Sequence, residues 1–258
     1  MDTVVRIVIS LPFGLIFGSF LTVVVHRVPA GESIVRPRSR CPSCGTQIRS
    51  WDNIPVVSWM LLRGRCRACG ARISAVYPLT ELATAALFVA AALHFDDVWV
   101  AVMMAPFCGL MVGLAIIDYR HKILPNKIVY PSLVIFPVYL VVAALAGADV
   151  DLVRAGIGLL AYGGGLLIVA IVSPRGMGMG DVKLAALIGV VLGSLGLRFV
   201  GVAAAAGILL GGVVAIGALL AGAGRKRAIP FGPFLAAGAV IAAFYGHELA
   251  SLYLNRLP

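Results

Sequence analysis

Long runs of apolar residues, separated by short polar segments, dominate the chain. A helix that crosses the hydrocarbon core of a bilayer needs about 20 such residues, and most of the runs approach that length. Several runs contain Pro or closely spaced Gly, which membrane helices tolerate and use for kinks or close packing. The pattern predicts an all-α, polytopic membrane protein with about eight transmembrane helices: Val4 to Val25, Tyr77 to Phe95, Val98 to Ile117, Ile128 to Ala146, Leu152 to Val172, Val182 to Leu195, Phe199 to Ala221 and Pro230 to Leu252.

The composition supports this interpretation. Of the 258 residues, 61% are hydrophobic and only 12% are charged, against about 25% charged residues in soluble domains. This balance excludes a water-soluble globular protein. The first apolar run has no basic flank before it and no small-residue cleavage site after it, so we expect it to be retained rather than removed as a signal peptide.

A net charge of +10 is compatible with a nucleic-acid partner. Whether the basic residues serve that purpose depends on where they lie along the chain. Seventeen of the 21 basic residues lie in four segments: His26 to Tyr77, Arg120 to Lys127, Arg175 to Lys183, and Arg225 to Arg227. The positive-inside rule then predicts these loops in the cytoplasm and both termini outside. The basic residues therefore indicate topology, and we expect no nucleic-acid partner.

The longest polar segment, residues 26–76, contains two Cys-x-x-Cys-Gly repeats, with thiols at Cys41, Cys44, Cys66 and Cys69. Two intervening residues let both sulfurs of a tight turn face one tetrahedral ion. The repeats predict a small zinc-knuckle loop, and four thiolates leave no open position, which indicates a structural metal. A pair of disulfides and an iron site are the alternatives. Cys108 lies within an apolar run, as a small core residue would.

Two aspartates lie at ends of apolar runs that share one predicted side of the membrane. Asp118 ends one run, and Asp181 follows the glycine-rich segment Gly176 to Gly180 and begins another. Two close carboxylates share a proton, so one can activate water while the other polarises a carbonyl, as in aspartic proteases. Gly178 and Gly180 would let an extended substrate backbone approach. The alternative is an interfacial Asp118 and an Asp181 that only caps a helix.

Two further residues are weak candidates for cofactor binding. Glu81 lies within the second predicted span and is able to bind a substrate amine or a sulfonium group, or to be a buried hydrogen-bonded carboxyl. Gly64 would permit close approach of a cofactor, or would form a turn between the two cysteine repeats.

The order of several motifs adds a family resemblance. The chain resembles the type IV prepilin peptidases, or leader peptidase/N-methyltransferases, which are intramembrane aspartic proteases of the GxGD type. The resemblance rests on Gly18 to Leu21, His26 to Pro29, both cysteine repeats, Asn53 to Trp59, Tyr77 to Leu82, Asp118 with Leu124-Pro125, Gly178 to Leu184, and Pro230 to Phe234. Thr22 and Asn126 depart from the Asn and Asp that are common in the family.

The resemblance implies an enzyme of the bacterial cytoplasmic (inner) membrane. Such an enzyme cleaves the short leader of prepilins and pseudopilins at the cytoplasmic face, then methylates the new amino terminus with S-adenosylmethionine. It implies Asp118 and Asp181 as the catalytic pair and the four cysteines as a zinc-binding, methyltransferase-associated loop. The expected organisation is a first helix at 1–25, the zinc loop at 26–76 and a peptidase core at 77–258.

Three other functions remain open at this stage. A peptidase without methyl transfer is the nearest of them. A proton-coupled transporter would use the two aspartates as a relay, but it predicts carboxylates near the middle of the membrane. A zinc-bearing scaffold without catalysis leaves the aspartate pair without a role.

Overall fold

The computed structural model describes residues 2–174, 177–222 and 229–254. Several residues used in the predictions lie outside the described residues: Arg175, Gly176 and Arg225 to Arg227. The apolar runs form helices, as expected: α1 (Thr3–Arg27), α2 (Val57–Leu61), α3 (Val76–His94), α4 (Val98–His121), α5 (Asn126–Leu145), α6 (Leu152–Gly158), α7 (Gly165–Val172), α8 (Met179–Leu195), α9 (Leu197–Leu220) and α10 (Gly232–Leu254).

Seven helical segments of the described chain are long and apolar enough to cross a membrane. They are α1, α3, α4, α5, α9, α10 and the continuous segment Leu152–Val172, in which a π-helical turn at Leu159–Gly164 joins α6 to α7. The all-helical membrane fold is thereby confirmed. The eighth predicted span corresponds to α8, which has only 17 residues and is mostly buried by protein.

The chain forms two compact units. The first contains the residues up to His94 together with Ala105–Gly113. Within it, α1 and α3 pack at unusually short range. A Cβ added to Gly14 would lie 2.6 Å from the Cα of Ala85, and one added to Gly18 would lie 2.7 Å from the Cα of Glu81. Small residues at this interface thus let the two backbones meet, as in many membrane helix pairs.

The second unit contains Phe95–Met104 and the chain from Leu114 onward. Its centre is α8, which contacts α5, α6, α9 and α10. Eleven of its 17 residues are buried. Because α8 is enclosed by other helices, its first turn is held in a fixed position, and that turn contains Asp181.

Candidate metal centre and carboxylate pair

The four cysteines of the predicted zinc loop come together in the first unit. The Sγ atoms of Cys41, Cys44, Cys66 and Cys69 all lie within 4.8 Å of one another. The Sγ atoms of Cys41 and Cys69 are 3.8 Å apart. Four sulfurs around a tetrahedral ion at 2.3 Å would be separated by about 3.8 Å. The cluster therefore has the donor atoms and the spacing to hold a metal ion.

Each pair of cysteines lies in a tight turn, and the two turns repeat one geometry. In the first, Cys41 donates its N–H to the carbonyl of Thr46, and Gly45 donates to the carbonyl of Cys41, both at 2.9 Å. In the second, Gly70 donates to the carbonyl of Cys66 at 2.9 Å. Gly45 and Gly70 have φ values of 70° and 71°. Glycine adopts this left-handed conformation without strain, which explains its place after each second cysteine.

The surroundings of two thiols favour the thiolate form that binds metals. Hydrogen bonding to the hydroxyl and backbone of Thr46 lowers the pKa of Cys44 to about 6. The backbone N–H groups of Cys69 and Ala68 lower the pKa of Cys66. Cys108 is fully buried and lies outside the cluster, consistent with the expected core residue.

The linker between the two turns is held by polar contacts. Arg67 makes a forked contact with the carboxylate of Asp52, with its shortest distance 2.7 Å, and this contact lowers the pKa of Asp52. Ser58 accepts the N–H of Ile54 at 3.0 Å and donates to the carbonyl of Trp51 at 2.8 Å. These bonds give the loop a defined structure around the cysteines.

Glu81 and Gly64, the weak cofactor candidates, both have structural partners. Glu81 is buried and accepts the N–H of Val56 at 2.7 Å, where the chain turns with a φ of 61°. Gly64 has a φ of 65°, and a Cβ there would lie 2.8 Å from the ring of Trp59. These contacts account for both residues structurally, and their cofactor role stays a prediction.

The first aspartate of the predicted pair is buried in the second unit. Asp118 lies in the last turn of α4, and only 5% of its surface is exposed. Its Oδ2 accepts the N–H of Gly232, the first residue of α10, at 2.9 Å. A Cβ on Gly232 would lie 2.7 Å from the same oxygen. The backbone of α10 therefore fixes the orientation of the Asp118 carboxylate, and only glycine leaves room for it.

The second aspartate, Asp181, is partly buried in the first turn of α8. The helix begins at its extended N-cap residue, Gly178, whose carbonyl accepts the N–H of Asp181 at 3.1 Å. A Cβ on Gly180 would lie 3.0 Å from the Cβ of Leu124, in the segment that follows Asp118. This packing joins the segment that follows Asp118 to the first turn of α8, which contains Asp181.

A third contact joins the start of α8 to the start of α5. The Nζ of Lys183 donates to the side-chain carbonyl of Asn126 at 2.9 Å. The same ammonium lies 4.7 Å from the centre of the Tyr130 ring. Asn126 therefore has a role that the sequence did not reveal, as the anchor of the lysine two residues after Asp181.

Gly232 is a residue of this site that the sequence alone does not indicate. The motif Pro230 to Phe234 contributes to the family resemblance, which implies no role for Gly232. The glycine between two aromatic residues and next to a proline was the available signal. What the sequence does not contain is the contact between residues 114 positions apart.

Taken together, the chain is a polytopic membrane protein with a four-thiol cluster in one unit and two aspartates at helix ends in the other. Residues 12–95 match the model of the bacterial peptidase A24 N-terminal domain, and residues 103–246 match that of the type IV leader peptidase family. The chain is an integral membrane protein that belongs to the type IV leader peptidase family, which confirms the resemblance.

Relatives match along nearly their whole length. The chain is 36% identical to the prepilin leader peptidase/N-methyltransferase of Bacillus subtilis, covering 94% of this chain and 96% of the relative. It is 34% identical to the proteins of the same name from Stutzerimonas stutzeri, with 95% and 93% coverage, and Pseudomonas aeruginosa, with 94% and 91%. No solved structure matches the chain.

Proposed function

We propose that this chain removes the leader of type IV prepilins and pseudopilins and then methylates the new amino terminus. The relatives that carry this name align with more than nine-tenths of the chain, so the alignments extend over both the cysteine unit and the aspartate unit. The observation that carries the proposal for this chain is the position of Asp118 and Asp181 at the ends of two helices of one unit, with Gly180 packed on Leu124 in the segment that follows Asp118.

Asp118 and Asp181 act as the catalytic pair. Two close carboxylates hold one proton between them, because ionising both is costly. The ionised carboxylate accepts a proton from water as the water oxygen attacks the scissile carbonyl, and the protonated one donates a hydrogen bond to the carbonyl oxygen. Breakdown of the tetrahedral intermediate transfers a proton to the leaving amine and restores the shared proton. The N–H of Gly232 keeps Asp118 oriented throughout.

The glycines before Asp181 have two different roles in this scheme. Gly180 packs on Leu124, which would have to shift by a few tenths of an ångström to admit a side chain there. At Gly178, the nearest atom to an added Cβ is the Oδ2 of Asp181, at 3.4 Å. The free molecule therefore has room for an added Cβ at Gly178, and we assign to the glycine there the close approach of the bound substrate's backbone.

The cysteine cluster holds a structural zinc ion, with Cys41, Cys44, Cys66 and Cys69 as its four ligands. Four thiolates suit zinc and complete its tetrahedral shell, so the metal organises the loop rather than activating water. S-adenosylmethionine supplies the methyl group. Glu81 and Gly64 remain the candidates for residues near that donor.

The basic loops assign the sidedness. The segments with most of the Lys and Arg face the cytoplasm, which places the zinc loop and the aspartates on the cytoplasmic side of the bacterial inner membrane, with both termini outside. Both carboxylates lie in terminal turns of helices rather than at mid-helix. That position suits cleavage at the membrane face and disfavours a proton-coupled transporter.

The test is a product-mass assay in liposomes with a prepilin and S-adenosylmethionine. We expect the wild type to yield a product that has lost its leader and gained one methyl group. Asp118→Asn and Asp181→Asn should leave the substrate uncleaved. Asp149→Asn, the same change at an exposed loop residue, is their matched control and should behave as wild type. An unchanged substrate mass would contradict the proposal, and a cleaved but unmethylated product would reduce it to peptidase activity alone.

A further inference from the structure

A cavity of about 560 Å³ lies beside the second cysteine turn in the first unit. Arg63, Arg65 and Arg72 line it together with Trp59, Ser74 and Ala75. The lining contains three cationic side chains and no acidic one. Such a concentration of one charge favours an anionic occupant.

The fold places two of these arginines directly opposite each other. Arg65 and Arg72 face one another across an antiparallel bridge, and like charges in this arrangement are destabilising. The first cysteine turn offers an internal comparison, because its equivalent bridge joins Arg40 to the neutral Gln47. The second turn thus has a charge conflict that the first avoids, and an anion between the guanidinium groups would remove it.

The three guanidinium groups have no hydrogen-bond or ion-pair partner within the part of the chain that the structure describes. Arg67, in the same turn, differs because it is held by Asp52. Guanidinium groups bind phosphate through paired N–H donors, so unpartnered arginines around one cavity provide a ready set of donors for that group.

The cavity lies where a membrane helix begins. Ser74 and Ala75, in its lining, immediately precede α3, one of the seven candidate spans. The neighbouring short helix α2 exposes Met60 and Leu61, which are 65% and 78% accessible. Cationic donors at the start of a span, next to exposed apolar side chains, match the phosphate and the acyl chains of a phospholipid.

We propose that the cavity binds the phosphate-bearing headgroup of an anionic phospholipid, with Arg63, Arg65 and Arg72 as donors to the phosphate. The methyl donor is a poorer match because its sulfonium and amino groups are cationic, and the lining has no carboxylate to receive them. The bound lipid would anchor the second cysteine turn at the bilayer surface.

The test uses the full-length protein in nanodiscs containing equal amounts of phosphatidylglycerol and phosphatidylcholine, analysed by native mass spectrometry after release. We expect the wild type to retain phosphatidylglycerol selectively. In the double variant Arg65→Gln/Arg72→Gln, retention should be roughly 25-fold weaker, since each arginine near an anionic surface contributes about fivefold. Arg40→Gln, at the equivalent bridge, should retain the lipid.

Bound zinc, measured on each variant, shows whether the cysteine module is still folded. Equal retention of phosphatidylglycerol by the wild type and a zinc-replete double variant would overturn the proposal. The proposal would also be overturned if the wild type retained phosphatidylglycerol no better than phosphatidylcholine. Displacement of the bound lipid by S-adenosylmethionine would overturn it too. Lipid retention is measured without turnover, so the result is independent of the proposed function.

Discussion

The four-thiol cluster and the carboxylate pair differ in how far apart along the chain their parts lie. Each cysteine turn is a local structure of a few residues, closed by its own backbone hydrogen bonds, and the loop contains it twice. The carboxylate site draws Asp118, Asp181 and Gly232 from the ends of three helices. One centre is therefore built from repeated short-range geometry, and the other depends on how helices pack within the second unit.

This difference teaches that the two centres can fail separately. The four cysteines all belong to the first unit, and both aspartates and Gly232 belong to the second. Because the two centres belong to different compact units, we expect a change that disorders the cysteine loop to leave the helix ends around the aspartates in place. We therefore expect changes at the aspartates to abolish cleavage and changes at the cysteines to abolish methyl transfer, each without loss of the other activity.

The largest effect is expected on removal of the metal. Cys41→Ser should release most of the zinc and unfold the loop, because structural zinc contributes about 10–16 kcal/mol in modules of this kind. Zinc content and limited proteolysis of residues 28–75 measure the change. Cys108→Ala removes the one cysteine of the five that lies outside the cluster, and this variant should retain the metal. A metal-free but protease-resistant Cys41→Ser loop would argue against a structural ion.

Loss of either catalytic carboxylate should come next. Asp118→Asn and Asp181→Asn each remove one partner of the shared proton, and we expect cleavage to fall by about 10²- to 10⁴-fold or more. Single-turnover cleavage in detergent measures the rate. Zinc content should be unchanged. A variant that cleaves at the wild-type rate would eliminate that aspartate from the mechanism.

A smaller effect is expected at Gly232. In Gly232→Ala the new Cβ would meet the Asp118 carboxylate, and a displacement of about 1 Å in a reacting group can cost about 10²-fold in rate. Gly238→Ala is the matched control, because its Cβ would meet the carbonyl of Ala203, 2.5 Å away, and would strain the packing of the same helix.

We expect Gly238→Ala to lower thermal stability while leaving kcat of the folded fraction near wild type, and Gly232→Ala to lower kcat with little change in KM. Equal losses of kcat in the two variants would show that Gly232 matters only for helix packing.

The smallest effect is expected at Lys183. Lys183→Met removes the hydrogen bond to Asn126 and the contact with Tyr130, each worth about 0.5–1 kcal/mol at exposed sites. A decrease in Tm of about 2–8 °C should follow. Lys127→Met, a change at an exposed residue next to Asn126 at the start of α5, should cause no decrease. Asn126→Asp should raise Tm by converting the bond to an ion pair. If the Tm of Lys183→Met and that of Asn126→Asp both equalled the wild-type Tm, the contact between Lys183 and Asn126 would not contribute to stability.

The predictability of the two centres follows from the same contrast. The cysteine spacing predicted the cluster because its geometry is local, and the apolar runs predicted the helices because membrane spans are continuous in sequence. The bond from Gly232 to Asp118 could not be predicted, since it depends on which helix ends meet. The length of α8 was also uncertain, because an apolar segment enclosed by protein has the same composition as one that faces lipid.

The central claim is that cleavage and methyl transfer use separate centres. The most direct measurement supplies a cleaved, unmethylated pilin with S-adenosylmethionine to Asp118→Asn and to Cys41→Ser, and records the product mass. The account predicts that Asp118→Asn adds one methyl group and Cys41→Ser adds none. Loss of methyl transfer in Asp118→Asn, with its zinc still bound, would contradict the separation of the two centres.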